Sequence, residues 1–119
     1  MNSKYDNLEM TRAEKMVGEF LDEVKLYWEY EQAVYLLDDK GRPRVWTPDY
    51  YLPELGFYIE VVGDGENPNY SWRKSIYDKN RIPIIFIYPY EHRDWQQFLV
   101  ESMHLLHRRR WDILKQIRP

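Results

Sequence analysis

Asp49 and Glu60 are the residues whose type and spacing first imply chemistry, in the stretch TPDYYLPELGFYIEVVG over 47–63. Pro53 and Gly56 bracket a tight turn between two short runs rich in aromatic and β-branched residues, the pattern of a hairpin. In an antiparallel pair closed by that turn, Pro53 faces Gly56, and the same register carries Asp49 to Glu60. Cross-strand partners hold their Cβ atoms roughly 4.5–5.5 Å apart, and like charges there are destabilising. Two carboxylates that close must share a proton, splay into water or take up a cation. Mg²⁺ uses one or two carboxylates with waters and phosphate oxygens, so the pair suits a divalent ion that meets a phosphodiester. A register slipped by one residue would instead leave a solvated acidic hairpin with the acids on opposite faces.

Composition sets the frame in which such a pair must be held. A chain of 119 residues, 44% hydrophobic and 17% aromatic, has material for one ordinary core, so a single domain over 1–119 is expected. With no cysteine, disulfides and thiolate metal sites are excluded. The absence of a long apolar run and the polar start of the chain argue against a membrane span and a signal peptide, and favour a soluble, cytoplasmic protein. The net charge of −3 counts mildly against a dedicated nucleic-acid binder, but the basic residues gather at Arg108, Arg109, Arg110, Lys115 and Arg118, and again at Arg73, Lys74, Lys79 and Arg81.

Seven elements follow from the pattern. Apolar residues at Ala13, Met16, Val17, Phe20, Leu21 and Val24 recur with helical period, and Thr11 with Glu14 forms a capping box that starts the helix near Arg12. The run LYWEYEQAVYLL reads as one strand, DDKGRP as a turn, RVWTPDYYL as a second strand, PELG as a turn and FYIEVV as a third strand. After the polar loop GDGENPN, YSWRKSIYDKN reads as a short helix and IPIIFIYP as a strand buried on both faces. A long final helix opens on Asp94 and Gln97 as a second capping box, with Trp95, Phe98, Leu99, Ser102, Leu106 and Ile113 on one face. The order α-β-β-β-α-β-α predicts an α/β fold in which a mixed sheet carries helices on its faces.

The segment PDYYLPELGFYIEVVGD resembles the core motif of the PD-(D/E)XK nuclease superfamily, the restriction-endonuclease-like fold. It is similar to small stand-alone members related to very-short-patch and Holliday-junction nucleases. The resemblance implies an α-β-β-β-α-β core and a Mg²⁺-dependent endonuclease, with Mn²⁺ able to substitute. Asp49 and Glu60 would bind the metal, the main-chain carbonyl of Val61 would be a further ligand, and Glu14 would complete the shell unless its cap is its whole role. Where the family has Lys, this sequence has Val62, which can neither orient a water nor stabilise a phosphorane. In some relatives the following helix supplies that Lys; here Lys74 comes first, with Arg73 and Lys79 as alternatives, unless Lys74 only pairs with Asp78 at i, i+4. Cleavage of branched, mismatched or plain duplex DNA, leaving a 5′-phosphate, is the implied activity. A homodimer would supply two symmetric cuts.

Other groups carry less. His104 and His107 are spaced to share a helix face, and with His92 could suggest zinc, but no acid or Cys stands nearby. The run HRRRW could hold a phosphate backbone through Arg108, Arg109 and Arg110, or simply offset a helix dipole. Glu29 and Glu31 could reach the edge of the site or belong to a charged edge strand. If no cation from the second helix reaches the acids, the expected alternative is an inactive nuclease fold that binds nucleic acid or a protein partner.

Overall fold

The computed structural model describes residues 8–63 and 69–117, so most of the GDGENPN loop lies outside the described residues. The elements run α1 (Arg12–Glu23), β1 (Glu29–Tyr30), β2 (Val34–Leu37), β3 (Pro43–Trp46), β4 (Tyr50–Leu52), β5 (Phe57–Val61), α2 (Tyr70–Lys79), β6 (Ile84–Ile87) and α3 (Trp95–Ile117). No helix among the described residues is long and apolar enough to cross a membrane.

Helix α1 begins where its cap predicts, with Thr11 Oγ1 accepting the Glu14 N–H at 3.2 Å. Its stripe of Ala13, Val17 and Leu21 is buried. The main sheet has the order β1-β4-β5-β6. Strands β1, β4 and β5 pair antiparallel and β6 joins β5 in parallel, a pairing that needs a crossover such as α2. Alternation along β5 sends Phe57, Ile59 and Val61 to the face covered by α1 and α3, where Trp95, Leu99 and Met103 close the core. It sends Tyr58, Glu60 and Val62 to the other face, against Ile76 and Tyr77 of α2 and Val34 and Leu36 of β2. All four residues of β6 are buried, as the apolar run 84–87 requires.

The first two expected strands are corrected. Each is divided between two sheets: 26–37 breaks after β1, where Glu31 takes φ +57°, and 44–52 breaks between Trp46 and Tyr50, around Pro48. The inner pieces, β1 and β4, enter the main sheet, while β2 and β3 form a separate two-stranded ribbon. A strand kept whole over either stretch would have run far past the main sheet; the break lets the outer halves fold back over α2. Asp38 closes the ribbon's turn. Its side chain, 1% exposed, accepts the Arg44 Nε–H at 3.0 Å and the backbone N–H groups of Lys40 and Arg42 at 2.9 Å each. These donors hold its carboxyl far below the ordinary range, the Arg42 N–H most of all. Asn80, at the C-cap of α2, latches the ribbon down: it accepts from Leu37 N at 2.9 Å and donates to Leu37 O at 2.8 Å.

Helix α3 is also rotated from expectation. Met103 rather than Ser102 is buried, Phe98 and Ile113 are exposed, and every residue from His107 to Ile117 is exposed. Arg110 ties the helix to the β4–β5 turn. Its guanidinium donates to the carbonyls of Leu55 and Gly56 and lies 4.8 Å over the Phe57 ring. Gly56 has φ +73°, and a Cβ there would stand 2.8 Å from the Arg110 guanidinium. Gly56→Ala is therefore expected to cost about 1–2 kcal/mol in urea unfolding from the left-handed backbone alone. The total should be larger in the native chain than in an Arg110→Ala background, where nothing is left to displace. Equal costs in the two backgrounds would show that Arg110 does not hold the turn.

Candidate active site

Strand β4 is held against β5 with Tyr50 opposite Ile59, Tyr51 opposite Tyr58 and Leu52 opposite Phe57. One step further along the same register brings Asp49 to Glu60. The ladder itself stops there. The main-chain carbonyl of Asp49 turns to accept Glu31 N–H at 3.0 Å, and its Oδ2 reaches across to accept the Val61 N–H at 2.7 Å. The side chain thus takes the place of a backbone acceptor and lies against Glu60. Burial and the Glu60 charge push the Asp49 carboxyl up to about 9, the Val61 N–H opposes this, and a hydrogen bond with Glu60 and the charge of Glu14 add to it. In the cation-free protein the pair therefore keeps a proton at neutral pH.

Helix α2 faces the pair with two residues one turn apart. The Glu60 side chain is 9% exposed, and Arg73 Nη2 stands 3.4 Å from its Oε2. The guanidinium is fixed over two rings, 5.2 Å from Trp46 and 5.8 Å from Tyr70. Tyr77 is wholly buried, packed edge-on to Trp46 at 5.2 Å. Burial and the Glu60 charge raise its phenol to about 12, with Arg73 acting in the opposite sense and Asp49 adding a smaller rise.

Lys74 is placed elsewhere. It points to solvent and bonds Asp78 Oδ2 at 3.2 Å, the i, i+4 alternative foreseen for it. The helix's phase explains this: Ile76 and Tyr77 are buried, Arg73 is one full turn before Tyr77, and Lys74 is about 100° further round. Val62, where the resembling family has Lys, is 5% exposed within the cluster that joins β5, α2 and the ribbon. That position is needed for packing, so the cation nearest the acids comes from the helix.

Glu14 is close to the pair but not aimed at it with Asp49 and Glu60. Its carboxylate accepts the Tyr30 hydroxyl, and its carbonyl accepts the Tyr50 hydroxyl at 2.6 Å. Burial and Glu14 push the Tyr30 phenol well above its ordinary range. Glu14 comes from α1, on the opposite face of the sheet from α2. No three His, Cys, Asp or Glu side chains among the described residues gather where one metal ion could hold them. Val61 presents its main chain to the pair through the N–H on Asp49.

The proposed phosphate contacts separate into two groups. Arg73 is at the acids, and Lys79 is exposed in the last turn of α2. Arg110 is engaged with the β4–β5 turn, at the far end of the hairpin from Asp49 and Glu60. Arg108 and Arg109 are exposed on the neighbouring turn of α3. Neither Trp46 nor Tyr77 is singled out from the sequence; the signal for Tyr77 is the helical phase that puts it with Arg73, and Trp46, on β3, carries no local signal.

No family model, curated protein or solved structure matches the chain. The chemistry of the acid pair and its surroundings therefore carries the functional reading.

Proposed function

We propose that the chain is a divalent-metal-dependent endonuclease acting on DNA, with a restriction-endonuclease-like core. The observation that carries this reading is the pair itself. Asp49 and Glu60 are pressed together at the ends of adjacent strands, where one must hold a proton unless a cation replaces it. Both are hard oxygen donors, and two carboxylates without a third fit Mg²⁺, which keeps several waters and shares phosphate oxygens. Such an ion, Mg²⁺ or Mn²⁺, would lower the pKa of a bound water and neutralise charge on the scissile phosphate. Asp49 and Glu60 would hold it, the Val61 carbonyl, next in the chain, would be a further oxygen donor, and Glu14 would add negative potential from beyond the sheet. Arg73 is fixed by Trp46 and Tyr70 so that its free donors meet charge that grows on the phosphate oxygens as the bond to the incoming oxygen forms. In-line displacement would leave a 5′-phosphate. Two copies cutting opposite strands would make a homodimer the working form.

One observation favours a second reading. Arg73 already offsets the charge of Glu60, so the site has a cation of its own, and an inactive module that binds nucleic acid or a protein could keep this arrangement. The two are separated by incubating the protein with supercoiled plasmid, branched DNA and RNA, with Mg²⁺, Mn²⁺ or EDTA. Nicking that requires the metal supports the enzyme, and its restriction to DNA supports the substrate class. Binding without cutting supports the module.

A further inference from the structure

The Tyr77 hydroxyl is the one buried side-chain polar atom among the described residues that makes no hydrogen bond of full geometry; Arg73 stands near enough to act on its oxygen as a donor, which leaves the phenol's own proton without an acceptor. The residue is 0% exposed. Such a group costs folding free energy, and it persists where an unseen water or ion satisfies it or where function requires it. Its neighbours narrow the choice. Arg73, one helical turn away, lies over the Trp46 ring that Tyr77 also touches, and reaches Glu60 at 3.4 Å. A guanidinium only donates, so it cannot accept the phenol's proton however close it comes. The charges of Glu60 and Asp49 both act on the hydroxyl. The ring that carries the unused proton packs against Trp46 and, at 6.3 Å, against Phe86, the residue paired with Glu60 across β5 and β6.

We propose that Tyr77 is a positioning residue of the acid-pair site, whose hydroxyl donates to a water of the hydrated divalent cation held by Asp49 and Glu60. The inference rests on the cation reading of that pair. It assigns the hydrated metal a neutral donor wall opposite its two carboxylates, and explains why a buried position that Phe would fill at lower cost carries Tyr. Partners of this kind, one shell removed from a metal, orient its ligands and change its affinity.

The test is Tyr77→Phe, which keeps the ring and removes the oxygen, beside Tyr35→Phe, which removes an exposed hydroxyl on the outer face of the ribbon. Mn²⁺ binding is measured by calorimetry and by electron paramagnetic resonance, and melting is followed in EDTA. Tyr77→Phe should weaken Mn²⁺ about tenfold or more, alter the resonance of the bound ion, and melt in EDTA no lower than the native chain. Tyr35→Phe should change none of these. Unchanged Mn²⁺ affinity in Tyr77→Phe overturns the inference alone. A marked drop in its EDTA melting temperature also overturns it, because the hydroxyl would then have a structural partner. Equal effects from Tyr35→Phe overturn it as well. A native chain that takes up no Mn²⁺ overturns the cation reading and this inference together.

Discussion

Asp49→Asn is expected to raise the melting temperature of the cation-free protein at neutral pH while abolishing metal-dependent cleavage. The sign follows from the proton that Asp49 keeps. Its unfolded carboxyl titrates near the ordinary value of 3.8 and its folded one near 9, through burial first and the Glu60 charge second. Between those values the folded chain holds a proton that the unfolded chain has released. Folding stability therefore falls as pH rises from about 4 toward 9. Below the unfolded value both states are protonated and the penalty vanishes. Asn removes the titration but keeps an oxygen to accept the Val61 N–H, which donates to Asp49 Oδ2 at 2.7 Å in the native chain. In EDTA at pH 8 the variant should melt on the order of 5 °C higher, the shift that about 1 kcal/mol produces in a domain of this size. Its melting temperature should also lose the downward slope between pH 5 and 9. Millimolar Mg²⁺ should raise the native chain and leave the variant unmoved, because a ligand stabilises only the state that binds it. Parallel pH slopes in the two proteins, or an equal response to Mg²⁺, would remove the acid pair from the argument.

Arg73→Ala should lower the cleavage rate about 100- to 1000-fold, the usual loss when one preorganised donor to a developing charge is removed. Lys74→Ala should stay within about twofold, since its amine meets only Asp78, at 3.2 Å in solvent. Arg73→Lys tests geometry apart from charge. An ammonium cannot stack across Trp46 and Tyr70 or present a planar fork to a phosphate, so this variant should recover only part of the loss. The measurement is single-turnover cleavage of a labelled duplex at saturating Mg²⁺, with melting curves to confirm that each variant is folded. If Lys74→Ala proves the damaging change and Arg73→Ala the silent one, the placement of α2 over the acids fails.

Much of this arrangement was legible where the signal was local. Thr11 and Glu14 mark the start of α1, PELG sets the register of β4 on β5, and the run 84–87 is as buried as its composition requires. The acid pair could be read because a two-strand register is simple arithmetic. What stayed hidden depends on distant partners. Nothing in LYWEYEQAVYLL announces that Glu31, with no glycine beside it, takes a left-handed turn; Pro48 did offer a warning at the second break, since proline interrupts a ladder. Asn80 bonding to Leu37 and Arg110 capping the Leu55 and Gly56 carbonyls join residues far apart in the chain; in the sequence Arg110 reads as a phosphate contact or an offset to the helix dipole, and nothing local singles out Asn80. Arg73 rather than Lys74 lies beside Glu60, a difference of one residue, which on a helix is about 100°. The burial of Ile76 and Tyr77 fixes that angle.

The division of the β elements into a sheet and a separate ribbon also bears on how Arg73 is held. The ribbon is secured to the body by the two Asn80 bonds to Leu37 and by side-chain packing. It carries Trp46, one of the two rings beneath the Arg73 guanidinium. Lifting the ribbon off α2 would take that ring from Arg73 while leaving Glu60 on its own sheet, so the contact between Arg73 and Glu60 depends on how firmly the ribbon is docked.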